Sequence, residues 1–207
     1  MLKAKEMYGP WLACWLAFDC IFGKRRNEIC KLKRKDIWIE NNFLYVRFYV
    51  GKKRSKKGTI DRLPYTKKIT LNHYAVHYIL EYLKEYDEWR KESTKPTEYL
   101  FPSGHHRSEN LTVRTKCKNG LGEDVVLEYH YKVERGYICG DEVYKKVKKV
   151  NPNIWLHLGR HSVGTAAAEH GASEYDVANI LDVTTKIASK YVHHGTALTE
   201  EWSKRTG

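Results

Sequence analysis

The sequence predicts an α+β fold that is mainly α-helical and carries small antiparallel β-hairpins. Residues 10–22 form an apolar run that is too short to span a membrane and is typical of a buried helix, with Gly23 as its C-terminal stop. Residues 43–50 are rich in aromatic and β-branched side chains, which favours a strand. The basic segment 51–58 then turns the chain into a return strand over 60–69, so we expect a hairpin with a positively charged tip.

Apolar spacing and capping signals predict the remaining elements, all within one domain over residues 1–207. They are a short helix over 26–33, a helix that Asn72 caps and that runs to Lys91, a second hairpin over 111–137 with Asn119-Gly120 near its turn, a basic helix over 141–150, a helix over 155–169 stopped by Gly171, a helix that Ser173 and Asp176 cap, and a last helical segment at or beside Tyr191. No internal repeat or low-complexity linker divides the chain.

The charge of the chain indicates a polyanionic partner. Its 207 residues carry a formal net charge of +12, and the pI is near 9.4. The positive charges cluster at 31–35, 51–58 and 145–149, as a groove that follows a nucleic acid backbone would require. The alternative is a lysine-rich surface of the kind found in thermophilic proteins. The candidate DNA contacts are Lys52, Lys53, Arg54, Arg26, Lys145 and Lys148.

The cysteines indicate a reducing compartment. The 5 cysteines form no CxxC pair, and an odd count without a signal peptide favours free thiols in the cytoplasm. The sequence shows neither a targeting segment nor an apolar run of membrane-spanning length. We therefore expect a cytoplasmic, DNA-associated protein with no membrane partner.

A histidine, an arginine and a tyrosine late in the chain suggest phosphoryl transfer. His157 precedes Arg160 by three residues, which places a proton-transfer group and a forked, phosphate-binding cation on one face of a helix. Tyr191 can then act as a nucleophile. The acidic residues are scattered or paired with lysines, so the sequence offers no convincing carboxylate cluster for a metal. Arg25, far upstream, can complete an arginine cradle, and we expect no metal or other cofactor.

Several sequence boxes resemble those of the tyrosine recombinases, also called the phage integrase family. Residues 23–28, Gly-Lys-Arg-Arg-Asn-Glu, with Leu32 four residues on, resemble the G-x-R-x-x-E-x-x-x-L box. Residues 157–162, His-Leu-Gly-Arg-His-Ser, resemble the H-x-x-R-H-S box, and residues 191–193 resemble the nucleophile segment. Residues 100–102, Leu-Phe-Pro, resemble a short turn midway between the boxes. The resemblance runs over nearly the whole chain, and it implies the fold of a tyrosine recombinase catalytic domain.

The resemblance implies a role for each catalytic residue. Arg25 and Arg160 would hold the scissile phosphate, and His157 would transfer a proton. Tyr191 would attack to give a 3′-phosphotyrosyl bond, which conserves the bond energy, so resealing needs no ATP.

The family also uses a lysine on a β-hairpin, which protonates the leaving 5′-oxygen. The family spacing counts back from Pro64 to Lys56, and Lys53 and Lys57 stay open as alternatives. We expect Glu28 to order the arginine turn and His161 to be a buried supporting residue.

The chain departs from the family pattern shortly before Tyr191. The family usually has L-G-H or L-G-W there, whereas this chain reads Leu181-Asp182-Val183, with a spacing one residue short. Neither Asp182 nor Val183 can donate the hydrogen bond of a ring nitrogen, because an ionised Asp only accepts. Lys186 could supply a cation nearby.

Two further parts of the chain differ from the family. Residues 111–137 resemble an insertion into a compact catalytic domain, for which extra DNA contacts and a subunit contact both stay open. No N-terminal core-binding domain of the kind that clamps the opposite face of DNA precedes residue 10. We therefore expect either an isolated catalytic fragment or a minimal integrase.

The sequence predicts a site-specific DNA recombinase or integrase of a mobile genetic element, such as a virus or plasmid. We expect it to act on double-stranded DNA as a homotetramer on paired sites and allow for a monomer without DNA. The tail 196–207 would dock onto a neighbour or pack within its own chain. The alternatives are a catalytically impaired DNA-binding relative, a type IB topoisomerase-like relaxing enzyme, and a helix-turn-helix regulator over 162–181.

Overall fold

Helices form the body of the fold, and two small antiparallel sheets lie among them. The computed structural model describes residues 1–49, 64–93, 97–118, 124–154 and 158–192, with the backbone alone over 104–118 and 125–135. The helices are α1 (Leu2–Tyr8), α2 (Pro10–Phe22), α3 (Arg26–Cys30), α4 (Val76–Glu92), α5 (Gly140–Val150), α6 (Leu158–Glu169) and α7 (Glu174–Leu181). The strands are β1 (Ile37–Glu40), β2 (Phe43–Tyr49), β3 (Pro64–Thr70), β4 (Pro102–Lys118) and β5 (Asp124–Tyr137). Residues 185–192 are also helical.

The helix α2 is central because it is apolar on every side. Pro10 occupies its first turn, where a missing N–H costs nothing, and residues 12–18 are all buried. Gly23 ends the helix in the left-handed conformation at φ 56°, and its N–H donates to the Asp19 carbonyl at 2.9 Å. Both α4 and α6 pack on α2. The residues that follow Gly23 are therefore presented at the centre of the molecule.

The two sheets are antiparallel and separate from each other. Strand β2 lies between β1 and β3, and its register pairs Phe43 with Thr70 and Tyr49 with Pro64. This pairing confirms the first predicted hairpin as far as the strands are described, whereas its basic tip over 51–58 lies outside the described residues. Strands β4 and β5 form the second hairpin.

The buried residues fall into two apolar clusters. The main cluster joins α1 to α5 and the β1–β3 sheet. The C-terminal cluster contains Val177, Ala178, Leu181, Ala188 and Tyr191, with Val163 of α6 packed against it. The two clusters meet at Gly23, where an added Cβ would lie 3.1 Å from Leu181 Cδ2 and 3.1 Å from Val163 Cβ.

The predicted fold class is confirmed, and so are several of its local signals. Helix α2 lies where the apolar run predicts it, and α5 lies where the basic helix was predicted. The Ser173 hydroxyl accepts from the Asp176 N–H at 3.2 Å, and the Asp176 carboxylate accepts from the Ser173 N–H at 3.0 Å, so the predicted cap of α7 is present.

The predicted role of Asn72 is wrong. Helix α4 begins at Val76, with Ala75 at the cap position. A turn precedes the helix, in which the His73 imidazole accepts the Ala75 N–H at 3.2 Å. A local side-chain bond from His73 therefore takes the place of the expected asparagine cap.

Other boundaries also differ from prediction. Helix α3 stops at Cys30 rather than 33, because Lys33 is drawn into a β-bridge with Tyr99. The second hairpin is longer than predicted and begins at Pro102. Neither α1, which has no side-chain cap, nor the four-residue strand β1 was expected from the sequence.

We predict that Gly164→Ala lowers the free energy of unfolding by about 1–3 kcal/mol, the usual cost of overpacking. A Cβ at this position would lie 2.8 Å from both Leu181 Cδ1 and Tyr191 Cδ1, so the C-terminal cluster would have to move apart. Urea unfolding measures the change. Ala166→Ser, at an exposed position of the same helix, is the control. Equal midpoints for Gly164→Ala and wild type would contradict the close packing.

Candidate active site

Arg160 joins three segments of the chain at the junction of the two clusters. Its side chain is buried, Nη1 donates to the Gly23 carbonyl at 3.0 Å, and Nη2 donates to the Leu181 carbonyl. Burial lowers the pKa of the guanidinium, and the charge of Arg25 lowers it further. A guanidinium stays charged in proteins and has more N–H donors than two carbonyls use. Arg160 is therefore a fixed cation that can still bind an anion.

Arg25 lies at the start of α3, and Glu28 sets its orientation. Arg25 Nη1 donates to Glu28 Oε1 at 2.9 Å, and the Arg25 backbone N–H donates to Glu28 Oε2 at 3.1 Å. The Glu28 side chain is buried, whereas the Arg25 side chain is 34% exposed. The Glu28 carboxylate thus fixes one side of the Arg25 guanidinium, which is partly exposed. Arg25 is close enough to Arg160 for its charge to lower the Arg160 pKa.

Tyr191 lies on the helical segment 185–192 and belongs to the C-terminal cluster. It is 8% exposed, and its ring packs at the position that Gly164 leaves open on α6. The ring of His161 lies 5.2 Å from the Tyr191 ring, centroid to centroid. Tyr191 packs in the same cluster as Leu181, whose carbonyl accepts from Arg160, so the tyrosine adjoins the segment that the buried cation holds.

His161 differs from the expectation that it is buried. Its side chain is exposed and covers one side of the Tyr191 ring. Partial burial lowers the pKa of its imidazole, and the charge of Arg160 lowers it further. The prediction failed because consecutive residues on a helix point about 100° apart, so His161 does not follow Arg160 into the interior.

Several predicted site residues lie outside the part of the chain that the structure describes. They are His157, Lys52, Lys53, Arg54, Lys56 and Lys57. Among the residues that the structure does describe, no group of three or more His, Cys, Asp and Glu side chains could hold a metal ion. In the same residues, no helix is long and apolar enough to cross a membrane.

The other predicted DNA-contact residues lie on α3 and α5. Arg26 pairs with Asp141 at 2.8 Å, so the structure places it against α5 rather than free at the surface. Lys148 donates to the Pro152 carbonyl at 2.7 Å, whereas Lys145 is exposed. Lys186 is also exposed.

Comparison with known proteins identifies the family. The model of the phage integrase family matches residues 3–197. The chain belongs to the phage integrase family. No curated protein matches this integrase family member in sequence.

Solved structures of recombinases share the fold of this phage integrase family member. The XerH site-specific recombinase bound to palindromic difH substrate, in a post-cleavage complex, has a TM-score of 0.60 at 17% identity, over 98% of this chain and 46% of that chain. The pre-cleavage XerH complex with difH gives 0.56 at 17% identity, over 93% and 44%. The XerA recombinase gives 0.58 at 15% identity, over 100% and 60%. The chain thus spans roughly half the length of the structures it matches.

Lys24 is a site residue that the sequence did not single out. Its side chain is fully buried, and its ammonium group donates to the Asp182 carboxylate and, at 3.1 Å, to the Ile180 carbonyl. Asp182, which departs from the L-G-H pattern, is therefore the ion-pair partner of a buried cation. In the sequence only Asp182 was noted, as that departure, and no pattern along the chain links it to Lys24.

Asp19 is a second such residue, and it holds the beginning of α6. Its carboxylate accepts a hydrogen bond from the Gly159 N–H. A Cβ on residue 159 would lie 2.3 Å from Asp19 Oδ2, so only glycine allows this approach. The helix that carries Arg160 is thereby fixed to α2 at its first turn.

We predict that Asp19→Asn raises the free energy of unfolding at pH 8 by on the order of 1–3 kcal/mol. Burial raises the pKa of Asp19 to about 7, so the native state holds a proton above pH 4 that the unfolded chain has lost. The wild type therefore loses stability as pH rises towards 7, whereas neutral Asn still accepts the Gly159 N–H and has no such dependence. Urea unfolding of the wild type and Asp19→Asn at pH 5 and pH 8 measures the stabilisation and its dependence on pH.

Glu6→Gln, at an exposed carboxyl group of α1, is the control and should leave the pH dependence unchanged. Parallel pH profiles for wild type and Asp19→Asn would contradict the predicted titration.

Proposed function

We propose that this protein is a site-specific DNA recombinase or integrase that cleaves and rejoins DNA strands through a 3′-phosphotyrosyl intermediate on Tyr191. The arrangement of Arg25, Arg160 and Tyr191 carries the proposal. The two arginines come from distant parts of the sequence, yet the charge of Arg25 lowers the Arg160 pKa. Tyr191 packs in the same cluster as Leu181, whose carbonyl accepts from Arg160. Glu28 pairs with Arg25 and its charge also acts on Arg160, yet both guanidinium groups have further N–H donors that a phosphate can use.

The proposed reaction uses the described residues in defined roles. Arg25 and Arg160 bind the non-bridging oxygens of the scissile phosphate and stabilise the charge that develops there. The Tyr191 oxygen attacks phosphorus, a phosphotyrosyl bond forms, and the bond to the 5′-oxygen breaks. The reverse attack by a 5′-hydroxyl restores the DNA strand, so the proposed reaction needs neither ATP nor a metal.

Two proton-transfer roles fall on residues outside the described part of the chain. We assign to His157 the transfer of a proton at the phosphate, and to Lys56 the protonation of the leaving 5′-oxygen. Arg160, three residues after His157 in the sequence, donates to the Gly23 carbonyl at the end of α2.

We propose double-stranded DNA as the partner and a homotetramer on two paired sites as the working assembly. The net charge of +12 supports a polyanionic partner. The XerH structures are of a recombinase bound to difH substrate, which supports DNA as the ligand of the shared fold. A protein that binds DNA without cleaving it is the principal alternative, because Asp182-Val183 stands where the family has a ring-nitrogen donor.

We predict that the wild type forms a covalent adduct with a nicked suicide duplex and that Tyr191→Phe forms none. The variant lacks the oxygen that attacks phosphorus, whereas its ring still fills the space beside Gly164. Denaturing electrophoresis of a labelled duplex detects the adduct. Tyr175→Phe, at a tyrosine of α7 that is 69% exposed, should form it at the wild-type rate. Absence of the adduct with wild type, or its persistence in Tyr191→Phe, overturns the catalytic proposal.

We predict that Lys56→Ala slows cleavage of normal DNA by about 100-fold or more, the usual loss when a general acid is removed. A substrate with sulfur in place of the bridging 5′-oxygen should restore the rate, because a thiolate leaves without protonation. Lys57→Ala and Lys53→Ala are matched controls from the same segment. If either of these shows the sulfur rescue instead, that residue rather than Lys56 is the acid.

A further inference from the structure

The Lys24–Asp182 ion pair lies between the Arg25 turn and the segment that leads to Tyr191. Lys24 follows Gly23, whose carbonyl accepts from Arg160, and Asp182 follows Leu181, whose carbonyl also accepts from Arg160. Arg160 and Lys24 therefore both connect the turn after α2 to the end of α7. The Lys24 ammonium lies over the rings of Tyr65 and Phe48, at 4.7 Å and 5.5 Å from their centroids.

Stability alone does not explain this pair. Burial lowers the pKa of Lys24 to about 8 even though Asp182 favours the charged form, so the loss of hydration outweighs the attraction. Asp182 also has a φ of 51°, a left-handed conformation that glycine adopts without strain. An apolar side chain at residue 24 would avoid this loss of hydration, and a glycine at residue 182 would avoid the backbone strain.

Asp182 also influences the phosphate cradle. Its negative charge acts on Arg160, where it favours the charged guanidinium. An Asp182 carboxylate without a cation of its own would compete with a DNA phosphate for Arg160. Lys24 neutralises this carboxylate and at the same time fixes the end of α7, on which Leu181 packs with Tyr191 in the C-terminal cluster.

We propose that Lys24 is a positioning residue for strand cleavage: it pairs with Asp182 and so keeps this carboxylate from competing with the phosphate for Arg160. This inference rests on the proposed function. Lys24 acts through Asp182 and Arg160 rather than on the reacting atoms.

A double-mutant cycle of Lys24→Met and Asp182→Gly tests the inference. Methionine keeps the volume of the lysine stem, and glycine suits the left-handed backbone at residue 182. We expect Lys24→Met to lower the single-turnover cleavage rate on saturating suicide duplex by about tenfold or more, because Asp182 is then unpaired beside Arg160. We expect the double variant to recover to within about threefold of wild type, since the competing carboxylate is gone.

The dependence on pH separates positioning from a purely structural role. As pH rises through about 8, Lys24 loses its proton, and the wild-type cleavage rate should fall relative to that of the double variant. The other charged groups that act on Lys24 are Asp182 at the end of α7 and Glu28 of α3, which raise its pKa, and Lys67 of β3, which lowers it. Lys84→Met, at an exposed lysine of α4, removes the same charge elsewhere and should follow the wild-type profile.

Each outcome decides between the proposals. A wild-type rate in Lys24→Met, or a folded double variant as slow as Lys24→Met, overturns the positioning role while the proposed function stands. Absence of an adduct with the wild type overturns both. If Lys24→Met does not fold by urea unfolding, the pH profiles of the wild type and the double variant still decide: a wild-type rate that does not fall relative to the double variant as pH rises through about 8 overturns the positioning role.

Discussion

The two hydrogen bonds from Arg160 to the carbonyls of Gly23 and Leu181 are the interaction on which the site depends. They bring the end of α2, the beginning of α6 and the end of α7 to one point. Both acceptors are carbonyl groups at helix ends, which have no partner within their own helices. The buried Arg160 cation thus also completes the ends of two helices, so its position is tied to how these helices pack.

The acidic side chains around this centre have separate partners. Glu28 orients Arg25, Asp19 holds the first turn of α6, and Asp182 pairs with Lys24. Each carboxylate therefore has a partner of its own. This distribution leaves the outward-facing part of the arginine pair available to an external anion, which is the chemistry that a phosphodiester provides.

Local patterns along the chain predicted much of the fold and only part of the site. The apolar run of α2 and its Gly23 stop follow from composition and backbone preference, and the boxes around Arg25 and Arg160 follow from the family resemblance. Lys24 and Asp182 could not be paired in this way, because their contact depends on how α7 approaches α2. The cap of α4 was mispredicted since His73 provides a local bond that asparagine was expected to make.

The C-terminal cluster is small beside the main one, and Tyr191 is one of its buried members. A region with few buried apolar contacts opens at a lower free energy than the whole molecule. If Tyr191 is the nucleophile, as proposed, a local folding equilibrium would govern its reactivity, because this cluster could open while the rest of the chain stays native. DNA that binds the closed state more tightly would then favour the proposed cleavage by shifting this population.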